Sequence, residues 1–90
     1  MMAVITKKAL EFNKIHLASH TDEIMSDYDS GWRLQVGDED EKCFERMENI
    51  ALISLEKACT ISPYLSSLFK NNTDNKSYQF SQEKNEFIAL

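Results

Sequence analysis

The chain has 90 residues, 42% of them hydrophobic, with two glycines and one proline, a composition that belongs to one small globular domain rather than a disordered segment. Fifteen acidic residues against ten basic ones leave a net charge of −5. That balance argues against a nucleic-acid binder, which needs a basic face, and against an anionic membrane surface.

No apolar run approaches the roughly 18–20 residues of a membrane span, and the start, Met1 to Lys8, is too short for a signal peptide. A cytoplasmic protein is expected. Cys43 and Cys59 stand sixteen apart with no CxxC pair, so two buried, reduced thiols are expected.

In chain order, Ala3–Thr6 is β-branched and apolar and reads as an opening strand, followed by a short helix over Lys7–Lys14. Ile15–Ser19 alternates weakly and reads as a second strand. Thr21–Gly31 carries three Asp and two Ser and ends at Gly31, the chemistry of a long polar loop. Trp32–Val36 alternates cleanly, with Trp32, Leu34 and Val36 facing the core. Asp38–Glu48 opens with four acids, which favour a helix N-terminus, and spaces Phe44 and Met47 at i, i+3. Ile50–Leu55 is the most apolar run and is expected to be a central, buried strand. Ser54 is placed to cap a helical turn through Thr60. Ile61–Leu68, containing Pro63, is expected to be irregular or briefly helical, and Asn71–Asn75 a turn. Tyr78–Phe80 and Phe87–Ala89 are late strands. The sum is a single α+β domain over 1–90, with a mixed or antiparallel sheet of about five short strands and two or three short helices.

Charge is concentrated rather than spread. Residues 1–20 carry +2, residues 21–48 carry −7, and residues 49–90 balance. The acid is a segment, and it surrounds the only tryptophan.

Catalytic chemistry has little support in the pattern. His16 and His20 lie at i, i+4 but in a strand or loop, with no third ligand at a convincing spacing, so no metal is expected. An EF-hand count from Asp38 puts Cys43 where Gly is needed and Asn49 where Glu is needed, which excludes that calcium loop. No Gly-rich phosphate loop or nucleophile elbow is present, and a Cys43–His pair has no local support. No cofactor is expected. A small enzyme or ligand-binding domain using His16, His20 or Cys43 remains a rival reading.

Surface recognition fits better. A run of acids on both sides of a Trp-bearing strand is the composition of an electrostatic docking face. The candidate contacts are Asp27, Asp29, Arg33, Asp38, Glu39, Asp40 and Glu41, with Trp32 as the packing residue that holds the acidic loops in place.

At Asp29-Ser30-Gly31-Trp32-Arg33, followed by Gly37-Asp38-Glu39-Asp40-Glu41, the chain resembles the bacterial immunity protein 33 family. Ala3 to Lys8, Asn49 to Leu52, Ser62 to Leu65 with Leu68, and Ser77 to Phe80 extend the similarity over nearly the whole chain. The resemblance implies a small cytoplasmic antitoxin that is no enzyme. It would neutralise a cognate toxin or effector domain of a polymorphic, contact-dependent or type VI-like secretion system by steric and electrostatic blocking. The partner would be a basic-surfaced toxin domain, with no nucleic acid or membrane involved, and the protein itself a monomer or weak homodimer. An acidic nucleic-acid mimic of phage origin, inhibiting a DNA-binding protein, is the alternative. The family carries over no contact residues; those above come from charge and aromatic placement.

Overall fold

A computed structural model describes residues 1–40, 42–71 and 75–90. The order is β1 (Met2–Thr6), α1 (Lys7–Phe12), β2 (Leu17–His20), β3 (Asp29–Gln35), two single 3-10 turns, β4 (Ile50–Ser54), α2 (Leu55–Ile61), α3 (Leu65–Asn71), β5 (Ser77–Ser81) and β6 (Glu86–Ala89). This is a small α+β domain built on a six-stranded mixed sheet, ordered β4-β1-β3-β2-β5-β6. Among the described residues only β1 and β3 run parallel; the other pairs are antiparallel.

The strands alternate between two faces, so the register sorts every side chain. Ala3, Ile5, Ala18, Trp32, Leu34, Ile53 and Tyr78 fall on one face and form the core with Ala9, Ala58, Leu65 and Leu68 from the helices. The cross-strand row Leu52, Val4, Arg33, Ser19 and Ser77 falls on the other face. Among the described residues no helix covers that second face. Instead residues 21–28, 36–40 and 42–49 fold over part of it and help bury Val4 and Thr6.

Two caps set helix starts. Thr6 accepts from the Ala9 amide and opens α1, and Ser54 accepts from the Lys57 amide and opens α2 as its position in the sequence suggested. α1 ends where Asn13 takes the left-handed conformation, φ 54°, that asparagine tolerates.

Four expectations are corrected. Asp29, Ser30 and Gly31 lie inside β3, so the polar loop ends at Tyr28. The described residues of 38–48 form no α-helix; short 3-10 turns at Cys43–Glu45 and Met47–Asn49 stand there instead, and Met47 is exposed rather than packed. β4 is not central but ends the sheet, with Leu52 47% exposed. Its apolar run reflects side chains packed on both faces, Ile53 towards the helices and Ile50 towards the loops, which a sequence pattern cannot tell from a central position. Cys43 and Cys59 are both free thiols, as expected, but half-buried. The turn expected at Asn71–Asn75 falls largely outside the described residues, since 72–74 are not described.

Candidate functional site: the open face of the sheet

The first acidic block is organised by a bulge in β3. Met2 pairs with Asp29 and Val4 with Arg33, so β3 spends four residues where β1 spends two. Gly31 makes this possible with φ +87°, and a Cβ there would come within 2.4 Å of the Thr21 carbonyl oxygen. In a regular strand Asp29 and Arg33 would stand about 13 Å apart. The bulge brings them closer, with both side chains on the open face and in bonding contact.

The Arg33 guanidinium then grips the Asp29 carboxylate with two bonds, Nη1 to Oδ1 and Nη2 to Oδ2, both 2.9 Å. Asp29 also accepts from the amides of Gly31 and Met25, at 2.8 Å each. Burial alone would push the Asp29 carboxyl up, but Arg33 and the two amides outweigh it and bring its pKa down to about 2. Arg33 reaches on to the Glu23 carbonyl at 3.1 Å. The 21–28 loop is thereby clamped at two points.

The second block is organised by Glu39. Its carboxylate accepts from the amides of Val36 and Gly37, at 2.9 and 2.8 Å, and from the Thr6 hydroxyl at 2.6 Å. Thr6 thus uses one hydroxyl twice, accepting from α1 and donating to the loop. Burial raises the Glu39 carboxyl, but these three donors hold it below its ordinary value. Gly37 turns the chain with φ +120°.

Around these braces the remaining acids are outward. Asp27, Asp38 and Asp40 are exposed. The Lys8 ammonium bonds both Asp38 oxygens, at 2.8 and 2.9 Å, which raises the Lys8 pKa and lowers that of Asp38. Asp40 accepts from the Lys42 amide at 2.9 Å. Glu45 and Glu48, exposed on the 3-10 turns, extend the rim; their charge was visible in the sequence but not their outward placement. Glu41 lies outside the described residues.

Of the residues singled out in the sequence, the structure therefore brings Asp29 and Arg33 together as one buried pair and sets Glu39 beneath the loop it folds. Asp29 is 2% exposed and the Arg33 side chain 13%. Trp32 is 4% exposed and points the other way, into the helix side, with ring centroids 5.0 Å from His20, 5.2 Å from Phe69 and 5.9 Å from Tyr78.

The candidate chemical groups are placed apart from one another. His20 places Nδ1 3.0 Å from the Asn75 Oδ1 and Nε2 3.1 Å from the Ser30 carbonyl, while the His16 ring packs 5.7 Å from Phe80. Cys43 lines an open cleft of about 450 Å³ with Lys7, Lys8, Asp38 and Arg46 among others. Burial, then Glu39 and Asp40, push its thiol up, away from a nucleophilic thiolate. Among the described residues no group of three His, Cys, Asp or Glu is placed to hold a metal ion. No helix among them is long and apolar enough to cross a membrane.

A β-bulge carrying a carboxylate–guanidinium pair and an acidic loop tied back on a carboxylate thus order the loops of the open face. The family comparison gives that surface its context: the immunity protein Imm33 domain matches residues 4–90, and the chain belongs to that family of immunity proteins. No curated protein and no solved structure matches the chain.

Proposed function

We propose that this protein neutralises a cognate secreted toxin or effector domain in the cytoplasm by binding it, without catalysis, through the loops on the open face of the sheet. Membership of an immunity family supplies the class. The observation that carries the binding face is the bracing: exposed Asp27, Asp38 and Asp40 ride on loops fixed from beneath by Asp29–Arg33 and Glu39. A surface whose loops are already ordered loses little entropy on association. Its negative potential steers a basic partner, which matters for an inhibitor that must outpace a lethal enzyme.

Asp29 and Arg33 enter this reading as the brace rather than as contacts, because a fully paired, buried carboxylate has nothing left to offer a partner. Asp27, Asp38 and Asp40, with Glu41 beside them in sequence, are the proposed contacts; Glu39 shapes their loop.

Kinetics with a cognate toxin domain, identified by pull-down with this chain, test the reading. Asp27→Lys with Asp40→Lys, which spares both braces, should lower the association rate at low salt about tenfold or more and flatten its salt dependence. An unchanged association rate at low salt would remove the acidic rim from the binding face.

A further inference from the structure

The open face also holds a feature that charge does not explain. Val4, Met25, Met47, Ile50, Ala51 and Leu52 line an almost wholly apolar groove of about 220 Å³ beside β4. Val4 is buried at its floor, whereas Met25, Met47 and Leu52 are 50%, 68% and 47% exposed. Val4 and Ile50 are buried yet stand outside the helix-side core cluster, so this is a second apolar site and not an opening into the first. Large exposed apolar side chains gathered in one place mark recognition sites in soluble proteins. Methionine in particular adapts to the shape of what it meets.

Two observations define the occupant. β4 ends the sheet and among the described residues pairs only with β1, so an extended chain can lie along its outer edge. The two segments that supply the methionine rims, residues 22–28 and 43–49, hold Asp22, Glu23, Asp27, Glu45 and Glu48 against Arg46 alone. A second copy of this chain, at net charge −5, would bring the same acids against them. A cationic segment would not.

We infer that the groove receives an apolar side chain from an extended, lysine- or arginine-bearing segment of the toxin domain laid along β4. This rests on the immunity reading and adds to it the chemistry of the partner's recognition element: an apolar anchor set between positive charges.

The test uses the full chain and the purified cognate toxin domain, identified by pull-down with this chain. Met47→Ser with Leu52→Ser should speed dissociation about tenfold to a hundredfold, the effect of removing a central apolar contact, while association rate and its salt slope stay as in wild type. Met47 is 68% exposed and Leu52 47%, so the melting curve should fall only slightly. Should that double variant unfold, Met47→Ser alone carries the test, with faster dissociation again expected. Dissociation within twofold of wild type, alongside slowed association of the Asp27→Lys/Asp40→Lys variant, would overturn the groove and leave the acidic rim standing. A wild-type dimer in sedimentation that the serine variant breaks would assign the groove to a second copy and overturn the proposal. A wild-type chain that fails to bind the toxin domain at all would overturn both readings.

Discussion

Asp29→Ala is expected to destabilise the domain by about 3 kcal/mol, because it strands a buried guanidinium rather than merely deleting a bond. Arg33 would lose both 2.9 Å contacts, and the amides of Gly31 and Met25 would lose their shared acceptor. In a domain of this size that corresponds to a fall in Tm of roughly 15 °C. The double variant Asp29→Ala/Arg33→Met should recover part of the loss, since the stranded charge is then gone as well. The same carboxylate governs acid stability. Its pKa is about 2 when folded, below the ordinary 3.8. Its contribution is therefore full above about pH 4–5 and is lost as pH falls through 2. Thermal melts from pH 6 to pH 2 should show a steep decline in the wild type, with this component absent from Asp29→Ala. A Tm within a few degrees of wild type at pH 7 would mean that the pair does not brace the fold.

Trp32→Ala is expected to cost about 4 kcal/mol, a large share of what a small domain possesses. The indole sits at 4% exposure where β3 meets Phe69 of α3 and Tyr78 of β5, and alanine would leave a void that the surrounding strands cannot collapse into. The expected result in denaturant is a lower midpoint with an unchanged m-value. A loss below about 1 kcal/mol would place Trp32 at the margin of the core rather than within it.

These two residues explain what could be read from the sequence and what could not. The alternation Trp32, Leu34 was legible because strand geometry assigns side chains by parity, and the Ser54 cap because its chemistry is local. The bulge was not legible. Asp-Ser-Gly has the chemistry of a turn, and nothing local says that a positive-φ glycine will serve a strand instead. Glu39 looked like one acid in a run of four; its role depends on Thr6, 33 residues away, and so on a fold that had first to exist. Strand order is non-local in the same way, which is why the apolar run Ile50–Ser54 reads as a central strand and lies at the edge. The −7 charge of residues 21–48 was correct as arithmetic and incomplete as a map, because the fold turns some of those acids inward as braces and leaves others on the rim. The two blocks around Gly31 and Gly37, on which the resemblance rests, are in this chain the parts that order the loops of the open face.

The most direct test of the proposed binding face is amide hydrogen exchange of this chain, free and bound to a cognate toxin domain identified by pull-down. Binding on the open face predicts added protection in residues 22–28, in the loop after β3 through residue 49, and along β4, with the helices α2 and α3 unchanged. Protection confined to α2, α3 and the β5–β6 hairpin would contradict it.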